Sequence, residues 1–300
     1  MIYVLFLLLS TQVISCLHIK QTPSPNFNNR KDLKTHTIIT KPTHIILHYT
    51  ADCFYSQSMK TLSNFFRPVS AHYLIAADGT ISQLVDESKR AWHAGKSSWQ
   101  GNKQMNNYSI GIEIVNPGFT KSKKDPCTHN QNIWNKHTGV QVQGSSYYWY
   151  QFTDAQITSV IALCTDIMKR YDIKPYFILG HSDIAPSRKV DPGPLFPWEL
   201  LAKYDIGAWS NKIFSQNMNN HELRINQTTI KKVQCLLQAW GYHVTTSGKM
   251  NKKTKHALQA FQMHFRPSKI DGTIDSETIF ILNNLIKKYL TYENNTSYNC

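Results

Sequence analysis

The chain has 300 residues, with 33 Lys and Arg against 19 Asp and Glu (net charge +14 with His neutral), 13 His and 6 Cys; 41% is hydrophobic and 17% charged. That balance excludes wholesale disorder and a coiled coil, and the length allows one large domain or two smaller ones. Six Cys, none spaced C-x-x-C, exclude a disulfide-dense scaffold and a Cys-rich zinc finger, while the positive charge points to an anionic partner: nucleic acid, a membrane surface or an acidic polymer.

Residues 2–9 are uninterrupted apolar, too short to span a bilayer but suited to the apolar region of a secretory signal. The run ends in Val13-Ile14-Ser15-Cys16, similar to a bacterial lipobox in which Cys16 becomes the lipidated first residue; the alternative is ordinary cleavage near Ser15 and a soluble exported protein. Residues 1–16 are therefore expected to be a signal peptide, and 17–34, polar and punctuated by Pro, a tether. Export leaves Cys53, Cys127, Cys164, Cys235 and Cys300, an odd number. Cys164 and Cys235 lie on apolar helix faces and read as small buried hydrophobes; Cys53 and Cys127 are a candidate bridge that sequence alone does not establish.

Residues 43–50 read as a buried strand, 56–66 as a helix, and 72–77 and 80–85 as a hairpin about Asp78-Gly79. Residues 110–115 form a strand with three Ile on one face and Glu113 on the other. Residues 119–148 lack periodicity and are expected to be a long loop or insertion, with His129 and His137 solvated. Thr153 and Gln156 form a capping box ahead of a helix striped by Ile157, Val160, Ile161, Cys164, Ile167, Met168 and Tyr171. A short strand at 176–180 leads into the Pro- and Gly-rich loop 181–198. Strands alternating with helices predict an α/β domain with a mixed central sheet flanked by helices over 35–206. A linker at 207–221 follows, and then a small three-helix unit at 222–290.

Two islands carry the chemistry: His48 at a strand end, and the stretch from Gly180 to Gly193 containing His181, Lys189 and Asp191. Two imidazoles and a carboxylate make a three-ligand zinc set with a fourth position open for water. Spacing alone leaves His48 either a ligand or a hydrogen-bonded strand-end histidine. Gly180-His181-Ser182 begins like a nucleophile elbow, but Ile184 replaces its second Gly, so Ser182 is not expected to be a nucleophile.

With those islands, His48-Tyr49-Thr50, Ser70-Ala71-His72-Tyr73, Asp78-Gly79, Ala91-Trp92-His93-Ala94-Gly95 and Ser109-Ile110-Gly111-Ile112-Glu113 stand in one order over about 160 residues. In this the chain resembles the type-2 zinc N-acetylmuramoyl-L-alanine amidases, the family that includes peptidoglycan recognition proteins. The resemblance implies zinc on His48, His181 and Asp191, activation of the attacking water by Glu113, and a cation at the developing oxyanion supplied by Lys189. Plain alternatives are a surface strand carboxylate for Glu113 and a solvated loop lysine for Lys189. Trp92 and His93, with Trp99, line the substrate groove or serve packing; His72 faces the groove or is a core histidine.

Residues 222–290 resemble a type-1 peptidoglycan-binding domain through Val233-Gln234, Leu236-Leu237, Gly241-Tyr242, Gly248-Lys249-Met250, Ala257-Leu258, Phe261-Gln262 and Asp271-Gly272-Thr273. The usual acidic-Gly turn stands as Ser247-Gly248, which bears on whether the wall-binding surface is kept; a helical stabilising appendage is the alternative. Residues 207–300 carry twelve basic against five acidic side chains, so charge is densest there. The expectation is a monomeric zinc amidase exported to the periplasm, with a lipid anchor at Cys16 as one form, cutting between N-acetylmuramic acid and L-alanine in peptidoglycan or muropeptides. The rivals are a non-catalytic peptidoglycan recognition protein and a basic nucleic-acid-binding protein, the latter suggested by charge alone.

Overall fold

A computed structural model describes residues 17–121, 127, 139–215 and 223–290. The leader with Cys16, the insertion's His129 and His137, and Cys300 lie outside those residues.

In chain order the strands are β1 (Ile19–Gln21), β2 (Phe27–Asn29), β3 (His44–Tyr49), β4 (Tyr73–Ile75), β5 (Ile81–Gln83), β6 (Lys89–Ala91), β7 (Ser98–Trp99), β8 (Asn102–Lys103), β9 (Ser109–Ile114), β10 (Phe119–Thr120), β11 (Val140–Gln141), β12 (Tyr148–Trp149) and β13 (Ile178–Gly180). The helices are α1 (Tyr55–Leu62), α2 (Asp154–Tyr171), α3 (His181–Ile184), α4 (Trp198–Ala202), α5 (Gln227–Trp240), α6 (Lys252–Phe265) and α7 (Ser276–Tyr289). Six strands form a mixed sheet in the order β1-β5-β4-β9-β3-β13, with only the β4–β5 pair antiparallel. The predicted α/β class and mixed sheet are observed.

The central strands are covered on both faces, as parallel strands must be. Ile45 and Leu47 of β3 and Ile110, Ile112 and Ile114 of β9 pack with Val160, Leu163, Cys164 and Ile167 of α2, whose capping box forms as predicted. Ile46 joins a second core on the opposite face. Gly111 sits in β9 because a Cβ there would lie 2.3 Å from the His93 ring.

The segment expected to be a tether is instead part of the domain. β1 pairs with β5 and β2 with β6, and Asn26 Nδ2 donates to the carbonyls of Asn64, Arg67 and Val69. Those bonds and Pro68 explain why α1 stops at Leu62 rather than reaching Phe66. Arg30 is fully buried and donates to the carbonyls of Glu87, Asn106 and Ser109. Strands of three mostly polar residues leave no periodic signal, which is why composition misled.

Glu87 also holds α2, its buried carboxylate accepting from Tyr73, Tyr171 and Arg170. Burial pushes that carboxyl up, but the bonds from Arg170, Tyr73 and Tyr171 outweigh it and hold it below its usual value. The folded value lies under the unfolded one, so the contribution is present above the unfolded value and lost as pH falls through the folded one. Glu87→Gln is expected to cost about 2 kcal/mol at pH 7, read as a lower urea midpoint, with the deficit narrowing below about pH 4. An equal deficit at pH 7 and 3 would show that the charge contributes nothing.

The described parts of the insertion form a small sheet, β10-β12-β11, with Phe119 against Tyr147 and Trp149. The Cys53–Cys127 bridge ties the insertion to the start of α1. Cys164 is a buried free thiol, pushed up to about 12 by burial, as read from sequence. Cys235 differs: it is half-buried and disulfide-bonded, and a helix-face pattern cannot separate a paired cysteine from a packed one.

Helices α5, α6 and α7 are capped by Asn226, Asn251 and Asp275. Two equivalent clamps join them. Gln234 accepts from Gly248 N and donates to Lys249 O and Thr254; Gln262 accepts from Gly272 N and donates to Thr273 O and Thr278. The clamp grips backbone, so Ser247 in the acidic position leaves this turn intact. The helices do not form a separate core: Val233, Leu237, Leu258, Phe261 and Leu285 share one with Ile46, Ala94, Trp99 and Leu179. Trp99, a sequence candidate for the groove, is buried at this junction against Tyr242, and only Gly fits at 241, where a Cβ would meet Trp99 at 2.5 Å and φ is +145°.

Candidate metal centre

The three strands β9, β3 and β13 run parallel, and the site lies at their carboxyl ends, where open α/β sheets bind ligands. Register sets the geometry. His48 is paired with Glu113, so both side chains project from the same face of neighbouring strands. Leu47 is paired with Gly180, which places His181 beside His48. Asp191 returns to the turn because Ser182 N donates to its carbonyl at 2.8 Å.

The donor atoms converge. His48 Nδ1, His181 Nδ1 and Asp191 Oδ2 are 2.9, 3.0 and 3.0 Å apart, and all three residues are buried. The surrounding network assigns the tautomers. Ser109 Oγ donates to Met105 O, so it accepts from His93 Nε2, and His93 Nδ1 then accepts from His48 Nε2 at 3.0 Å. His181 Nε2 donates to the Ala94 carbonyl at 3.1 Å. Each Nδ1 therefore presents a lone pair, and two lone pairs and a carboxylate oxygen meet with no proton between them. Three such atoms at that separation suit a cation, and the edge of a tetrahedron with zinc-length bonds is about 3.3 Å. The residues fit zinc.

Burial, then the neighbouring His181, lowers the His48 pKa to about 4, so it is neutral at pH 7, as a ligand must be. Glu113 Oε1 stands 4.0 Å from His48 Nδ1, and its buried Oε2 has no partner. Burial, then the Asp191 charge, pushes Glu113 well above the usual carboxylate range, while Lys189 pulls it down. Lys189 is half-buried and close enough for its charge to act on both His48 and Glu113.

Two candidates have other roles. His72 is fully buried; Nδ1 accepts from Gly111 N and Nε2 faces the Lys89 carbonyl, so it is a core histidine and not a groove residue. His93 is buried with both nitrogens engaged, so it orients His48 rather than touching substrate. Trp92 is half-buried and its indole donates to Asn28 on β2. Sequence reading gave no role to Arg188, which donates to the carbonyls of Ala94 and Lys96 over His181. Nor did it give one to the Tyr49 phenol, pushed up by burial and then by the charges of Asp191 and Glu113. Their partners are remote in the chain, so no local signal existed.

Residues 39–194 match the family model described as N-acetylmuramoyl-L-alanine amidase, and residues 226–282 match the "Putative peptidoglycan binding domain" model. The chain is 40% identical over 255 residues to N-acetylmuramoyl-L-alanine amidase AmiD of Escherichia coli K12, covering 82% of each chain. It is 34% identical over 192 residues to the Haemophilus influenzae 1,6-anhydro-N-acetylmuramyl-L-alanine amidase AmpD, covering 60% of this chain and 88% of that one. Among solved structures, E. coli AmiD in complex with anhydro-N-acetylmuramic acid-L-Ala-D-gamma-Glu-L-Lys superposes with TM-score 0.66 at 35% identity, covering 88% of this chain and 98% of that one. Pseudomonas aeruginosa AmpDh3 with anhydromuramic pentapeptide gives 0.61 at 31%, covering 86% and 98%. With more than half of its length inside the amidase model and AmiD matched across most of both chains, the protein belongs to the N-acetylmuramoyl-L-alanine amidase family.

Proposed function

We propose that this amidase is zinc-dependent and hydrolyses the amide between the lactyl group of N-acetylmuramic acid and L-alanine in peptidoglycan or muropeptides. The observation that carries the reading is the meeting of two buried imidazole nitrogens and a carboxylate oxygen within 3.0 Å of one another. Bound there, zinc supplies Lewis acidity that polarises the amide carbonyl and lowers the pKa of water. Glu113 accepts the proton of the attacking water and returns it to the leaving amine, for which a raised carboxyl pKa is suited. Lys189 offsets the negative charge that develops on the carbonyl oxygen. His93 and Arg188 keep His48 and His181 in place. Trp92, half exposed, is offered as a substrate contact.

The muramyl peptides in the AmiD and AmpDh3 complexes support this substrate class. The complete ligand set speaks against a non-catalytic recognition protein, and nothing in the site serves nucleic acid. We place the protein in the envelope, exported through its apolar leader, with a lipid anchor at Cys16 as the form its lipobox suggests; disulfide-bonded Cys53, Cys127 and Cys235 support an oxidising compartment.

The test uses metal-depleted full-length protein with purified peptidoglycan and a muropeptide. Zinc is expected to restore release of free stem peptides, and a chelator to abolish it. Release that persists after metal depletion would overturn the metal reading.

A further inference from the structure

α3 begins with the ligand His181, and its third residue, Asp183, is 1% exposed. Asp183 Oδ2 accepts from Gly180 N at 2.8 Å, which fastens the turn carrying the ligand. Its remaining donors come from the C-terminal helical unit. Tyr242 Oη donates to Oδ1 at 2.6 Å, and His264 Nδ1 donates to Oδ2 at 2.8 Å.

Both donors are themselves fixed. The Tyr242 ring meets Trp99 edge-on, and Gln100 N donates to Gly241 O at 3.0 Å. The His264 ring is stacked between Trp198 and Phe265, with centroids 3.8 and 3.9 Å away. A carboxylate held out of water is costly unless donors satisfy it, and removing one partner leaves the charge uncompensated. The stretch matching the amidase model ends at residue 194, so it contains the carboxylate but neither Tyr242 nor His264.

We propose that Tyr242 and His264 are positioning residues for the metal centre: by satisfying Asp183 they fix the Gly180–His181 turn, so the C-terminal unit sets the geometry of the zinc ligands. The inference rests on the zinc-amidase reading above. It makes the wall-binding unit a working part of the active site rather than an anchor joined by a flexible strap.

The test compares the full-length parent with Tyr242→Phe, with Tyr242→Phe/His264→Phe, which keeps the stack on Trp198 but loses both donors, and with His264→Asn, which keeps an N–H donor near the Nδ1 position. Zinc affinity is read by competition with a chromophoric chelator, melting temperature is read on the metal-free chains, and kcat and KM on a muropeptide. The double variant is expected to bind zinc about 10- to 100-fold more weakly, with lower kcat and unchanged KM, and His264→Asn to lie near the parent. Tyr242→Phe, the mildest change, carries the test if the double variant does not fold. Zinc affinity within twofold of the parent in the donor-loss variants would overturn the inference even if their melting temperatures fall. A parent that takes up no zinc would overturn the metal reading itself, and this inference with it.

Discussion

Glu113→Gln is expected to lower kcat by about 100- to 10,000-fold while leaving zinc content and KM near the parent's. Gln keeps the shape and the buried environment but cannot accept a proton at neutral pH. Oε2 of Glu113 is buried and unpartnered while Oε1 stands 4.0 Å from His48, so the carboxyl is held beside the three converging donor atoms. A variant that lost both zinc and activity would instead make Glu113 a ligand. One that kept activity would remove it from the mechanism.

The second large effect belongs to Asp191. Asp191→Asn is expected to weaken zinc binding severely and cut kcat/KM by about 1,000-fold or more, since Lewis acidity is worth several kcal/mol. The metal-free chain should respond in the opposite direction. In the parent, Asp191 Oδ2 faces two imidazole lone pairs at 3.0 Å, whereas an Asn amide places a donor there. The metal-free variant should therefore be at least as stable as the metal-free parent, by a margin of about 1 kcal/mol, or a few degrees in Tm. A metal-free variant clearly less stable than the parent would mean that a proton already bridges these atoms and that the tautomers are wrong.

The chain encodes its catalytic strands locally. Alternation in Ile110-Gly111-Ile112-Glu113-Ile114 puts three Ile in the core and Glu113 on the opposite face, and the structure keeps that division. The hairpin at Asp78-Gly79, the capping box of α2 and the stripes of α5 to α7 were legible for the same reason: each rests on contacts within a few residues. Motif order pointed to His48, His181 and Asp191 as a set.

Other features depend on partners far away in sequence. His72 and His93 sit in motifs that resemble a groove, but their ring nitrogens are taken by Gly111, His48 and Ser109 inside the domain. Residues 17–34 look like a polar tether, yet their hydrogen bonds are made with β5, β6 and the loop after α1. Asp183 is one more loop carboxylate until Tyr242 and His264 close on it. Sequence by itself thus determined the residue types and strand faces of the candidate site, because side-chain alternation and motif order are local. Only the tertiary structure decided which histidines converge with Asp191 and which are held in the surrounding network, and that the C-terminal unit reaches the turn carrying His181, because contacts and burial are fixed by partners up to 143 residues apart.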